Sequence, residues 1–181
     1  MHALVVYESM YGNTKMVADA IADGIGSPAE VRVLQVSDAR TEDVAACDLL
    51  VVGGPTHVHG ISRISTRHLA VDTVTGPEGE LVDERNVEGE GLREWLGSLP
   101  GTRLKAATFD TRIDAPALFT GRASKGIAKS LRNSGFEIVA EPESFLISKE
   151  THLLPGEEDR ARKWGRMLRT AAQSPGSGRP E

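Results

Sequence analysis

The 181-residue chain contains a single cysteine, Cys47. It can close no intramolecular disulfide and carries no Cys-x-x-Cys pair, which excludes a disulfide-stapled scaffold and a dithiol or cysteine metal motif. Its 21 Lys and Arg, set against 26 Asp and Glu, form no dense basic run, so nucleic acid is not the expected partner. No unbroken apolar run exceeds a handful of residues, far short of the ~20 that span a bilayer. No basic leader with an apolar stretch and cleavage site precedes the strand-like Ala3-Leu-Val-Val-Tyr7. The expectation is a soluble, cytoplasmic protein without a membrane span. Aromatic residues are also few: two Trp, two Tyr and four Phe. What is present is 39% hydrophobic residues, over a length that suits one globular domain with a real core.

Short apolar runs alternate with helical periodicity. Leu4-Val5-Val6 reads as a strand buried on both faces. From Lys15 onward Val17, Ala20, Ile21 and Ile25 recur at helical spacing, with Gly24 and Gly26 as stops. Val31 to Val36 reads as a second strand, and Thr41 to Cys47 as a short helix capped by Asp38 or Thr41. Leu49 to Val52 is a third strand ending at Gly53-Gly54-Pro55, and Leu104 to Phe109 a fourth. Between them Leu92, Trp95 and Leu96 share one face of a helix from Gly91 to Ser98. The helix from Ala123 to Asn133 turns Ile127, Ala128 and Leu131 inward and has Gly135 at C′. Phe136 to Val139 and Ser144 to Ile147 are two pieces of a fifth strand, broken around Pro142.

The last helix starts after Pro155, with Glu157-Glu158-Asp159 in its first turn and Arg162, Lys163, Arg166 and Arg169 later, an order that complements the helix dipole. Ala161, Trp164, Leu168 and Ala171 face the core. The alternation predicts an α/β chain: a single doubly wound, three-layer domain over residues 1–173, with helices on both faces of a parallel sheet, and a flexible tail over 174–181. Residues 61–90 form an insertion too long for an ordinary connection. Within it two runs flank Gly76-Pro-Glu-Gly79 as a hairpin would, a disordered loop being the alternative.

In open α/β sheets ligands bind beyond the carboxyl ends of the strands. Three loops meet that description: Glu8 to Thr14, Gly54 to Gly60, and Asp110 to Thr120. The first enters a helix, where unpaired backbone N–H groups and the positive end of the dipole face outward. Ser9, Asn13 and Thr14 add neutral donors and Gly12 lets the backbone approach closely, so the loop can hold a phosphate dianion. Ordinary turn and capping duty is the alternative. The Walker A spacing and the Gly-x-Gly-x-x-Gly fingerprint are both absent.

Ser9-Met-Tyr-Gly-Asn-Thr14, Gly53-Gly-Pro-Thr-His57 and Phe109-Asp-Thr-Arg112 followed by Gly121 resemble the three ligand loops of the flavodoxin-like family, including its quinone reductases. The resemblance implies flavin mononucleotide (FMN) as cofactor and a five-stranded parallel sheet of order 2-1-3-4-5. It implies that Ser9, Met10, Tyr11, Gly12, Asn13 and Thr14 bind the phosphate, that Pro55, Thr56, His57 and Val58 line one side of the isoalloxazine ring, and that Asp110, Thr111 and Arg112 approach its other edge. An electron-transfer protein or flavin-dependent oxidoreductase of quinone or protoporphyrinogen type follows, with a redox partner protein or small-molecule acceptor, and a homodimer is compatible with it.

There are departures. No Trp or Tyr lies in the second loop, leaving His57, His59 or Phe119 to stack on the ring, and a binding module that has lost FMN is the alternative. His57-Val-His59 lacks the further ligands that would close a metal shell. Arg112 is either a cation that favours negative charge on the ring or a surface residue paired with Asp110 or Asp114. Glu8 stands alone after the first strand, without the acidic pair that a phospho-accepting Asp110 would need. Cys47 reads as a packing residue.

Overall fold

The computed structural model describes residues 1–57, 60–61 and 91–174. Strand β1 (His2–Tyr7) is buried from Ala3 onward. It lies between β2 (Glu30–Gln35) and β3 (Leu49–His57), both parallel to it. A two-residue strand β4 (Gly60–Ile61) folds back antiparallel on Thr56 and His57. β5 (Lys105–Ile113) runs parallel to β3 from Leu49 as far as Pro55. The position beyond β5 is shared: β6 (Glu137–Ile138) pairs with Lys105 and Ala106, and β7 (Glu143–Ile147) with Phe109 to Ile113. The order is therefore the 2-1-3-4-5 that the resemblance implies, with the fifth strand split on either side of Pro142 as the sequence predicts.

Side-chain alternation along the strands fixes the two faces. Val5, Tyr7, Val51, Ala107 and Phe109 pack under α1 (Asn13–Ile25) and α6 (Glu157–Gln173). Leu4, Val6, Leu50, Val52 and Ala106 pack under the other layer. That layer holds α2 (Thr41–Ala45), α3 (Leu92–Ser98) and α5 (Ala123–Asn133), with the single turn α4 (Ala117–Thr120) leading into α5. Phe109, Phe145 and Trp164 meet edge-to-face with ring centroids 6.2–6.4 Å apart. α1 and α6 touch backbone to backbone, because a Cβ on Gly24 would overlap the Arg162 carbonyl and one on Gly165 the Ile21 carbonyl. α5 ends as expected: Gly135 has φ +88°, and its N–H and that of Phe136 close on Arg132 and Leu131.

Three expectations need correction. β3 and β5 do not stop at Val52 and Phe109, because each side of the extension finds a ladder partner: Gly53 to Pro55 pair with Phe109 to Thr111, and β7 flanks the same stretch of β5. Asp110, Thr111 and Arg112 are thus strand residues. Neither Asp38 nor Thr41 caps α2; the N-cap position is Arg40, whose N–H donates to Asp43 Oδ2 at 3.0 Å. Ala171 is half-buried, and Gly165 takes the fourth core position of α6. The expected hairpin over 69–84 and the tail beyond Ser174 lie outside the described residues.

Candidate functional site

The carboxyl edge of the sheet gathers the starts of α1, α3 and α5, and the chain treats them differently. Glu8, 2% exposed, crosses from the end of β1 to accept the Leu92 N–H at the start of α3, at 2.8 Å. Asp110, fully buried at the end of β5, accepts the Ser124 N–H in the first turn of α5, at 2.7 Å, beside Thr56 Oγ1, which accepts the Ala123 N–H at 3.0 Å. Asp43 closes α2, and α6 carries Glu157, Glu158 and Asp159 in its first turn. Each of these four helices therefore meets a carboxylate of its own chain, the partner a helix dipole favours.

α1 has none. No acidic residue lies in its first turn and no side chain caps it. Its N-cap is Gly12, whose φ of +81° only glycine adopts without strain. The first bond of the helix runs from the Met16 N–H to the Gly12 carbonyl, so the Asn13, Thr14 and Lys15 N–H groups have no intrahelical acceptor. Just before the turn, Ser9 is 6% exposed and its Oγ is a buried oxygen with no partner among the described residues. An orphaned hydroxyl beside an uncapped, acid-free helix start fits a phosphate group. Lys15, in the first turn of α1, is drawn along the helix, its Nζ 2.7 Å from Asp19 Oδ2.

The other first-loop residues are placed as follows. Met10 is buried, which leaves only its backbone for a ligand. Tyr11 is half-buried, and burial holds its phenol above the ordinary value, so it stays neutral. Thr14 Oγ1 lies 2.8 Å from Thr111 Oγ1. A hydroxyl pair uses one proton between its members and keeps the other for a third group. Asn13 Nδ2 donates to the Thr151 carbonyl at 2.6 Å, so this side chain, expected on the phosphate, is already engaged.

The other two expected loops contribute less than the resemblance implies. A Cβ on Gly53 would overlap the Phe109 ring, which explains the first glycine of Gly53-Gly54-Pro55 by packing alone. Pro55 and Thr56 are half-buried; Val58 and the side chain of His57 lie outside the described residues. Asp110 and Thr111, as neighbours in a strand, point to opposite faces: Asp110 to α5, Thr111 to Thr14 on α1. Arg112 pairs with neither Asp110 nor Asp114. Its Nη1 donates to the Ala115 carbonyl at 2.6 Å and approaches the Ile113 carbonyl and the Thr120 hydroxyl. A cleft of about 440 Å³ lies between α1 and the start of α6, lined by Asn13, Met16, His152 and Arg162 among others. Sequence spacing misses the roles of Glu8, Ser124 and Thr151 at this edge. A lone acid directly after β1 is the available signal for Glu8; the contacts of Ser124 and Thr151 carry no local signal.

Residues 5–91 match the protein-family model described as Flavodoxin. A flavodoxin of Aquifex aeolicus (strain VF5) is 43% identical over 61 residues, which is 33% of each chain. Among solved structures, a flavodoxin from the domain Archaea superposes with a TM-score of 0.65 at 20% identity, over 96% of this chain and all of that one. The chain has the flavodoxin-like fold. Oxidised Flavodoxin 1 from Bacillus cereus gives a TM-score of 0.64 at 18% identity, covering 97% of the flavodoxin-like chain and 100% of its own. The rubredoxin oxygen:oxidoreductase of the anaerobe Desulfovibrio gigas gives 0.60 at 14%, covering 95% of this chain and 36% of that one. The flavodoxin-like chain thus spans a third of its curated relative in sequence but the whole of single-domain flavodoxins in fold.

Proposed function

We propose that this chain binds FMN and passes electrons to a redox partner protein or small-molecule acceptor. The observation that carries the reading is the start of α1, the one helix among α1, α2, α3, α5 and α6 without a carboxylate at its N-terminus, beside the orphaned Ser9 hydroxyl. The Asn13, Thr14 and Lys15 N–H groups and Ser9 Oγ would hold the phosphate. Thr14 and Thr111 would offer their shared spare proton, and Pro55 to Val58 and the end of β5 would border the ring. Flavodoxin-family proteins bind FMN, which when bound supplies the redox chemistry at its ring. The chain supplies binding, exclusion of water and the local field. Arg112 would contribute a fixed positive charge held by its own loop, and Asp110 is a buried carboxyl group directed to α5. No described side chain is required to move a proton. An α1 start left open in this way argues against a module that has shed its flavin.

Titration of the purified protein with FMN and with riboflavin tests the proposal. FMN is expected to bind and shift its visible spectrum, riboflavin to bind at least tenfold more weakly, and inorganic phosphate to compete with FMN alone. Absence of any FMN spectral change or quenching refutes it.

A further inference from the structure

Among the described residues Thr151 is the one non-glycine residue with a positive φ, +62°. A β-branched side chain enters that region only against steric resistance, and such a conformation persists where the surroundings over-determine it. Here they do. The turn between β7 and α6 is closed by the Ser148 N–H on the His152 carbonyl at 2.8 Å and the Thr151 N–H on the Ser148 carbonyl at 3.2 Å. Ser148 Oγ accepts the Glu150 and His152 N–H groups, and the Leu154 N–H returns to the Leu146 carbonyl at 3.0 Å. The turn is therefore braced by hydrogen bonds of its own. What its tip presents is the Thr151 carbonyl, and the group on that carbonyl is Asn13 Nδ2, 138 residues away in sequence and on a residue only 8% exposed.

We propose that the Thr151 carbonyl positions the anion loop: by holding the side chain of Asn13 it sets the direction of the Asn13 and Thr14 N–H groups at the mouth of α1. This rests on the FMN reading above and deepens it. Asn13 is then a positioning residue rather than a phosphate ligand through its side chain, and the β7–α6 turn is part of the binding apparatus through its contact with Asn13. The resemblance to the family loop gives Asn13 the opposite duty.

Three variants separate the two duties. Asn13→Ala removes the strut but keeps the N–H. Thr151→Pro cannot hold a positive φ and displaces the carbonyl without altering Asn13. Thr151→Gly adopts the same φ freely and keeps the carbonyl in place. FMN affinity is expected to fall about tenfold in Asn13→Ala and in Thr151→Pro, to fall no further in the double variant, and to stay within about twofold of wild type in Thr151→Gly, with riboflavin binding unmoved throughout. An Asn13 side chain that ligates the phosphate directly would instead leave Thr151→Pro at wild-type affinity, and that result overturns the proposal. Should Thr151→Pro fail to fold, Ser148→Ala, which removes the hydroxyl that gathers the turn, replaces it.

Hydrogen exchange of the ligand-free protein provides the readout independent of flavin. Exchange at the Met16 amide, the first of α1 with an intrahelical acceptor, is expected to quicken at least fivefold in Asn13→Ala and Thr151→Pro and not in Thr151→Gly. Unchanged exchange overturns the strut whatever FMN does. Quickened exchange in a protein that binds no FMN overturns the FMN reading and leaves the strut standing.

Discussion

The buried hydroxyl of Ser9 yields a prediction with two opposite signs. In the ligand-free protein Ser9 Oγ has no partner among the described residues and is shut away from solvent. Leaving a buried polar group unsatisfied costs about 1–3 kcal/mol. Ser9→Ala removes the group and its cost, so the ligand-free variant is expected to be more stable than wild type by an amount in that range. The lower end applies where solvent water enters the cradle. At about 2–4 °C per kcal/mol for a domain of this size, melting should rise by roughly 2 °C or more. With FMN the sign reverses. A hydrogen bond to a charged phosphate oxygen contributes about 1.5–3 kcal/mol, so the variant should lose roughly 10- to 150-fold in affinity. Thermal unfolding by circular dichroism, without and with saturating FMN, together with fluorescence titration, reads both effects. A Ser9→Ala protein that melts lower than wild type and binds FMN as tightly would mean the hydroxyl works inside the fold, and the cradle argument would fail.

Further expectations follow from the packing and the charges. Gly165→Ala places a methyl against the Ile21 carbonyl at the α1–α6 crossing, where neither backbone can give way. A loss of about 1–3 kcal/mol or more in urea unfolding is expected, against less than that for Gly97→Ala, where a Cβ meets nothing within 4 Å. Cys47, whose thiol is pushed up to about 11 chiefly by burial, should react with a disulfide reagent at pH 8 only through roughly one thiolate in a thousand, and its labelling should gain speed along the urea unfolding curve. Asp43 is held below its usual value first by the Arg40 N–H and then by Arg32, so its contribution is present above the ordinary carboxylate range and is lost as pH falls through the lowered value. The difference in urea midpoint between wild type and Asp43→Asn should accordingly be present at pH 7 and close in strong acid.

Where the signal is local the sequence carries it. The run from Ala123 to Asn133 with Gly135 after it, the break at Pro142, and the acids that open α6 each announce an element through their own spacing. The loop from Ser9 to Thr14 is local too, which is why its residue types suffice to mark it. Composition misleads where pairing decides. Gly53-Gly54-Pro55 and Asp110-Thr111-Arg112 have the makings of loops, yet the first pairs with Phe109 to Thr111 and the second with Ser144 to Leu146, and β extension turns Asp110 and Thr111 to opposite faces. The duties of individual site residues depend on partners far along the chain: Glu8 with Leu92, Thr14 with Thr111, Asn13 with Thr151. No spacing rule spans such distances.

The divided fifth strand has a consequence for solubility. A long, flat outer strand offers its free N–H and C=O groups as a template for a strand from another molecule. Here the outer position is broken into pieces of two and five residues, and Arg122 fills the gap by donating to the Pro142 carbonyl and Ser144 Oγ. Beyond it the chain doubles back so that Leu153 bridges Ile147 and the Leu154 N–H takes the Leu146 carbonyl. A neighbouring molecule finds no continuous ladder to extend on that side, so the interruption that looks like a defect in the sheet blunts edge-to-edge strand pairing there.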